Sequence, residues 1–443
     1  MTRGILLCLT ALTGLVANSP GKTAVAVSGD PVLFWNEQLL SVLSGSPLVG
    51  GRNIAIVNVA IHDAVNASLG NPNRSWLSTS PGATGDTRAA ASVAAHQALV
   101  ALYPANAAAL DAALAASLAL IPDGASKTGG MLTGATVAAA VLANRASDGS
   151  STPSTYLPVG GPGHWIPTPP GFAPPSGPQY ADVTPFLMNA PDQFRADPPP
   201  SIDSAAYAAA LNEVKEIGSI GSLTRTADQS AAATFWAPLP ANGTGPWIRT
   251  AIDQSVVQGL STLENARMLA QLSVAVADAS IATWDTKYYY DFWRPVTAIQ
   301  NADADGNPLT IQDGAWLPYI VTPPHPSYLS AHSAVAAAAA AILEANLGTG
   351  IGFCLTIAAN NRCWSDFDAA ALDAANSRLW GGIHYRFDNE AGLALGAKVA
   401  AFTLASPTFG AIPEPASWAL MLTGFGLAGF ALRRGKVCVR FAT

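Results

Sequence analysis

A chain of 443 residues, half of them hydrophobic and only 12% charged, has apolar mass for one large core or two to three ordinary domains. Its net charge of −7 excludes a protein whose whole surface binds nucleic acid. Any cationic cluster is therefore local and serves a smaller, buried anion.

Residues 1–26 read as a secretory signal peptide. Arg3 gives the positive start, Gly4 to Ala17 the apolar stretch, and Ala24-Val25-Ala26 a small-residue cleavage site. Asp30-Pro-Val-Leu-Phe-Trp35 leads into a helix ending near Ser44, and residues 52–66 carry apolar side chains at helical spacing. His62 falls inside that pattern and is read as a core histidine. From Thr87 to Ala146 the chain is Ala-rich, and Pro104 and Pro122-Asp-Gly124 divide it into three helices. His96 there is read as structural.

From Ser147 to Pro200 the composition turns to Pro, Gly, Ser and Thr, and no helix runs through it. With Trp165, Phe172, Tyr180, Phe186 and Phe194, this long stretch is expected as an ordered layer wrapped over the core. His164, on that layer, is read as a loop residue before one at an active-site mouth. Helical patterning returns at 202–218 and 226–236. Ser261-Thr-Leu-Glu264 is a capping box that opens a long helix to about Trp293, and a further helix covers Ala334 to Leu347. No strand-like alternation of useful length is found. The expected fold class is all-α, a helical bundle under a long Pro/Gly-rich covering loop, with residues 27–405 as one body.

Cys8 and Cys438 lie near the ends. Cys354 and Cys363 either pair across a short loop, as an exported protein allows, or stay as two thiols; their spacing is not that of a metal site.

Residues 406–412 are expected as a linker to a last segment, 413–435, followed by a tail, 436–443. Pro413-Glu414-Pro415 precedes an apolar run from Ala416 to Leu432, at the short limit for a membrane span, and then Arg433-Arg434. This order resembles the PEP-CTERM sorting signal of exopolysaccharide-producing Gram-negative bacteria. The resemblance implies a transient inner-membrane anchor, an exosortase-type processing enzyme as partner, and delivery to the cell surface.

The chemistry is concentrated in three stretches between Trp284 and Asp388. In the first, Lys287 and Arg294 are seven residues apart, nearly two helical turns, and are expected on one helix face. Pro295 puts Arg294 at the helix end, and Trp284, three before Lys287, is expected to wall the site. In the second, His325-Pro-Ser-Tyr-Leu-Ser330-Ala-His332 precedes a helix, so Ser330 and the N–H of Ala331 sit near its N-terminus, aimed at an anion. His332 is one step on, in reach as acid or base. In the third, Arg378 and His384 are six apart and would face apart on an unbroken helix, but Gly381-Gly382 permits a break. Asp388 is placed to take a hydrogen bond from one nitrogen of His384, leaving the other for an electrophile. Arg386 is expected to point away or to form a salt bridge. Fixed cations, a hydroxyl and helix N–H groups are what a tetrahedral oxyanion asks for.

The three stretches in this order resemble the superfamily of vanadium-dependent haloperoxidases and type 2 phosphatidic-acid phosphatases, whose pattern is Lys-x6-Arg-Pro, then Pro-Ser-Gly-His, then Ser-Arg-x5-His-x3-Asp. Asp291-Phe-Trp-Arg-Pro295 and His325-Pro-Ser-Tyr328 are closer to the haloperoxidase branch. The resemblance implies a vanadate cofactor with hydrogen peroxide and halide as substrates. Lys287, Arg294 and Arg378 would neutralise the vanadate oxygens, Ser330 and the Ala331 N–H would donate to them, and His384 would be the ligand to vanadium. His332 would be the acid–base residue and Lys287 would polarise bound peroxide. Trp284, His325 and Asp388 would stand just outside, with His325 at the place where bromide-using members carry His. Two departures are visible: Leu329 replaces a second Pro, and Ala331 replaces the usual Gly, which would cost about 1 kcal/mol if the position needs positive φ. Two rivals stay open: a phosphatase using the same pocket, with His384 as phosphohistidine nucleophile, and, on the sorting signal and Ala331, a matrix protein with a degenerate site.

Overall fold

The computed structural model describes residues 26, 29–79, 84–237, 243–357 and 359–412. The signal expected at 1–26, apart from its last residue, and the sorting segment and tail from 413 onward lie outside the described residues.

Helices α1 (Pro31–Val42) and α2 (Pro47–Ser68) both open on a proline, and the Asp30 carboxylate caps α1 by accepting from the N–H groups of Val32 and Leu33. The Ala-rich stretch forms α3 (Thr87–Leu102), α4 (Ala107–Ala119) and α5 (Ala125–Arg145). Then follow α6 (Ala205–Ile217), α7 (Ala227–Phe235) and α8 (Thr244–Gln258), the last in a stretch to which the sequence pattern assigned nothing. The central element is α9 (Thr262–Tyr290), opened by the expected Ser261/Glu264 capping box and buried almost continuously from Asn265 to Lys287. It is followed by α10 (Pro295–Gln300), α11 (Ala331–Leu347), the hairpin β1 (Phe353–Ile357) and β2 (Asn360–Trp364), α12 (Phe367–Trp380) and α13 (Arg386–Ala405). Helix α9 packs against α2 on one side and against α11 and α13 on the other, and one apolar core runs from Val32 to Phe409.

Small residues set how near these helices lie. A Cβ on Gly396 would stand 2.1 Å from the Ala334 carbonyl oxygen, and one on Gly392 2.6 Å from that of Ser330. Helix α13 therefore rests directly on the first turns of α11. There the Ser330 N–H donates to the Asp388 carbonyl at 3.0 Å, which ties the second motif to the third.

Two expectations are corrected. The long helix does not run to Trp293: it ends at Tyr290, Asp291 turns left-handed at φ 51°, and Arg294 becomes the N-cap of α10. Pro295 bars the helical conformation at Arg294, so Lys287 and Arg294 share a site without sharing a helix face. The chain also has strand: β1 and β2 pair antiparallel, and Cys354 and Cys363, opposite each other in the register, are joined by a disulfide. Phe353, Leu355 and Ile357 alternate with Cys354 and Thr356 at the period of two that marks a strand, with Phe353 and Leu355 buried.

Residues 147–200 form the covering layer, with only short 3-10 turns at Pro178–Asp182 and Pro191–Phe194. The buried Asp278 carboxylate on α9 accepts from the N–H groups of Phe186 (2.6 Å), Leu187 (2.8 Å) and Met188 (3.0 Å). Burial pushes its pKa up to about 6, against the pull of those N–H donors and of the Arg145 guanidinium. Arg195 forks onto Asp285 from the same layer. A third clasp is Asp291, whose carboxylate takes the Tyr156 hydroxyl and lies 3.1 Å from His164 Nδ1, while its carbonyl accepts from the Trp165 N–H. His164 is thus a loop residue. His62 rests on the Phe409 ring beside Asp63, and His96 pairs with Asp111. The stretch 406–412, expected as a linker, lies along residues 72–74 with Phe409 fully buried.

Asp278→Ala would leave three buried N–H groups without an acceptor, at a cost of about 3 kcal/mol or more. The expected outcome is a lower urea midpoint and new protease cleavage inside 147–200 under native conditions. An unchanged cleavage pattern would show that the layer is held elsewhere.

Candidate active site

The break after α9 and the break between α12 and α13 bring the three motifs to one place. Lys287, in the last turn of α9, is fully buried and donates through Nζ to the carbonyls of Pro326 and Ser327, both at 2.8 Å. Arg294 is equally buried. It donates from Nε to the His325 carbonyl and from Nη1 to the Ile383 carbonyl, with Nη1 also 3.1 Å from His384 Nε2 and Nη2 2.9 Å from His325 Nδ1. Arg378, on α12, donates from Nη1 to the Trp236 carbonyl, while its Nε is buried without a partner. The break that frees it is the expected one: α12 stops at Trp380, and Gly382 takes φ +78° where a Cβ would meet the Gly218 carbonyl oxygen at 2.3 Å. Arg386 points away into a salt bridge with Glu213.

The partners of these cations are carbonyls and imidazoles, and the charge is poorly compensated. Burial lowers the Lys287 ammonium well below its usual pKa, and the neighbouring Arg294 lowers it further. Burial brings Arg294 down to about 10 and, with repulsion from Arg294, Arg378 down to about 9. Asp388 is the carboxylate in the cluster, and burial raises it to about 6 against the opposing effects of the Ser327 hydroxyl, Lys287 and Arg294. Three buried cations against one reluctant carboxylate leave a surplus of positive charge, which an anion would neutralise.

The histidines are set by what they face. His384 Nδ1 is 2.7 Å from Asp388 Oδ2, and its Nε2 faces the Arg294 guanidinium. A carboxylate accepts and a guanidinium only donates, so the proton is on Nδ1 and the Nε2 lone pair points into the cationic cluster. Burial and the three cations hold its pKa well below the usual 6.5. His332 Nε2 is 3.2 Å from the Trp236 carbonyl, which only accepts, so Nδ1 is its basic nitrogen. Burial and Arg378 keep His332 neutral as well.

A cavity of about 530 Å³ opens over this cluster, and its inner wall is made by Trp284, His325, Ala331, His332, Arg378 and His384. The Trp284 ring lies 5.1 Å from that of His325. Lys287, Arg294 and Ser330 stand behind that wall. Ser330 is the N-cap of α11 and its hydroxyl accepts from the Ser333 hydroxyl at 2.9 Å. Ala331 is the first residue of the helix and has no positive φ, so the strain feared for an Ala in place of Gly does not arise. Two residues were missed from the sequence. Ser327 donates its hydroxyl to Asp388 Oδ2, and its position inside the second motif was a usable signal. Trp236 contributes only its carbonyl, for which the sequence holds no sign.

Residues 267–408, which contain all three motifs, match the family described as the VCPO second helical-bundle domain, and residues 411–435 match the PEP-CTERM protein-sorting motif. The vanadium chloroperoxidase of Curvularia inaequalis is 26% identical over 389 residues, covering 68% of this chain and 63% of that protein. The chain thus spans less than two thirds of that relative's length. The crystal structure of the first bacterial vanadium-dependent iodoperoxidase superposes with a TM-score of 0.73 at 26% identity, over 85% of this chain and 95% of that one. In sequence and in fold the chain is thus similar to vanadium-dependent haloperoxidases. A holo-type bacterial vanadium-dependent chloroperoxidase, at 18% identity and a TM-score of 0.66 over 82% of this chain and 93% of that one, shares the fold. The helical bundle agrees with the expected fold class, apart from the disulfide-closed hairpin.

Inorganic phosphate, a tetrahedral anion, is expected to raise the melting temperature, with about 1.4 kcal/mol of added stability per tenfold excess over its dissociation constant. The effect should fade as pH rises, because Lys287 gives up its proton well below 10.5 in the anion-free protein and must regain it on binding. Arg378→Ala should remove most of the shift. A melting temperature indifferent to phosphate in calorimetry would contradict an anion site.

Proposed function

We propose that this protein is an exported haloperoxidase that holds vanadate and uses hydrogen peroxide to oxidise halide, bromide by preference, to hypohalous acid. The observation that carries the reading is the unprotonated Nε2 of His384, presented inside a buried surplus of positive charge. The donor set fits the group: vanadate is a tetrahedral oxyanion, Arg378 Nε is buried with no partner, and Ala331 and His332 face the same cavity. The body 27–405 is taken as one catalytic domain.

Bound vanadate supplies Lewis acidity toward peroxide at a constant oxidation state. Lys287, Arg294 and Arg378 balance the charge on its oxygens, and the Ser330 hydroxyl and Ala331 N–H add donors at the start of α11. His384 offers Nε2 as the ligand, and Asp388 holds the opposite nitrogen protonated and the ring in place. His332, kept neutral, would be the acid–base residue, with Nδ1 as the nitrogen that can hold a proton beside that group. Lys287 would present its ammonium to peroxide at that group as the polarising cation. His325, on the cavity wall beside Arg294, supports bromide as the halide. The sorting motif at 411–435 and the signal expected at 1–26 support export, a temporary inner-membrane anchor, exosortase-type processing and a place at the cell surface. Among the described residues no single helix is long and apolar enough to cross a membrane.

The same nitrogen and cations favour a second reading, phosphomonoester hydrolysis. His384 would attack phosphorus and His332 would protonate the leaving oxygen. Reconstitution with orthovanadate, a count of bound vanadium, and bromination of a phenolic dye with peroxide test the first reading. p-Nitrophenyl phosphate turnover by the vanadium-free protein tests the second. Vanadium-dependent bromination is expected, and silence in both assays would mark a degenerate matrix protein. His384→Ala should abolish vanadium binding, and Asp388→Ala should weaken it by about 10- to 100-fold. Full bromination by His384→Ala would refute the ligand assignment.

A further inference from the structure

Trp236 reaches the site through its carbonyl, and that single oxygen serves two of the site's groups. It accepts from Arg378 Nη1 at 3.1 Å and lies 3.2 Å from His332 Nε2. The first contact aims the guanidinium, and the second decides which nitrogen of His332 carries the proton. Local structure holds this carbonyl weakly. Helix α7 has nine residues, and Trp236 is the residue after its last, where carbonyl oxygens are no longer taken up by the helical ladder. Something outside α7 must therefore keep it in place.

The side chain of Trp236 supplies the hold. The ring is buried, stacks on that of Trp247 at 6.4 Å and lies 5.5 Å from that of Trp364 on β2. Its Nε1 donates to Asp373 Oδ2 at 2.8 Å. Asp373 stands on α12, five residues before Arg378. Arg362 of β2 forks onto the same carboxylate, from Nε to Oδ2 at 2.7 Å and from Nη2 to Oδ1 at 2.8 Å, and reaches on to Asp228 in the first turn of α7. The Asp228 side chain is 74% exposed, so that end of the bridge is worth little. The Asp373 end is bidentate, and its carboxylate is only 10% exposed. Arg362 and Trp364 are two apart on β2 and share the face toward Trp236, while Cys363 between them is joined to Cys354. The disulfide-closed hairpin thus holds the outer end of the chain of contacts.

We infer that Asp373 is a positioning residue for the site: it pins the Trp236 indole, and through it the carbonyl that sets Arg378 and the tautomer of His332. The inference rests on the reading of the cavity as an oxyanion site with His332 as its acid–base residue. Arg362 fixes Asp373, Asp373 fixes Trp236, and Trp236 fixes the two groups that face the anion. With the pin in place, the Trp236 carbonyl keeps the His332 proton on Nε2, and Nδ1 presents its lone pair. Without it the carbonyl is free to turn. The preference for that tautomer is then lost, and Arg378 Nη1 loses its acceptor.

The test reads the tautomer directly. Nitrogen NMR of the anion-free full chain, isotope-labelled at histidine, is expected to show His332 in a single form protonated at Nε2, its signals assigned by their loss in His332→Gln. Asp373→Leu should give a mixture of the two tautomers and weaken calorimetric binding of inorganic phosphate by about tenfold or more. Asp373→Asn keeps an oxygen for the indole N–H and should restore the single form and most of the affinity. Trp236→Phe keeps the carbonyl and an aromatic ring but lacks the indole donor. It should behave as Asp373→Leu does, and it decides the matter if that variant does not fold. A merely structural Asp373 would lower the melting temperature and leave the tautomer alone. A single Nε2-protonated form with unchanged phosphate affinity, in folded Asp373→Leu or Trp236→Phe, would overturn the inference and leave the anion site standing. Failure of the underlying reading shows separately, as no phosphate binding by the unmodified protein, and would overturn this inference with it.

Discussion

Mutual repulsion among Lys287, Arg294 and Arg378 is the constraint that the rest of the molecule is built to contain. Taking each charge out of water costs several kcal/mol, and a single buried carboxylate cannot repay three. The structure offsets part of the cost with carbonyls from distant parts of the chain, those of Trp236, His325, Pro326, Ser327 and Ile383. Carbonyls are weak partners for full charges, but they remain in place only if the backbone does. That explains the tight approach of α13 on α11 through Gly392 and Gly396 and the nearly continuous burial of α9 from Asn265 to Lys287: both keep those carbonyls where the cations need them.

Burial, reinforced by the surplus charge, sets the state of the histidines. Both make a further positive charge costly, so His384 and His332 stay neutral without any dedicated device. Asp388 then has a narrower task than charge balance. It accepts from His384 Nδ1, from the Ser327 hydroxyl and from the Tyr385 N–H, which fixes the tautomer and the ring plane. One physical cause, burial of uncompensated cations, yields both the affinity for an anion and the lone pair that meets it.

The sequence made much of this visible because the site is built from side chains with distinctive chemistry at short spacings. The Gly381-Gly382 break, the Asp388–His384 contact and the capping box at Ser261 follow from local rules and are found as expected. What escaped was set by the backbone or by tertiary packing. Asp291 adopts a left-handed conformation without being glycine, held there by the covering layer, so the end of α9 lay three residues short of the expectation. Trp236 acts through a carbonyl that any residue could supply. The hairpin at 353–364 is only five residues a side, too short for its pattern to stand out, though Phe353, Leu355 and Ile357 carry the strand period.

The covering layer shows why α9 is the element on which the rest turns. Asp278 and Asp285, two helical turns apart, hold the layer through Phe186, Leu187, Met188 and Arg195, and Asp291 holds it again at the helix end. All three carboxylates lie on or just beyond the helix that carries Lys287, yet each is occupied by the layer, so none is left to neutralise the lysine. Covering the core and keeping the cations available are thus two results of one arrangement, with acids spent outward on the loop and bases turned inward on the cavity.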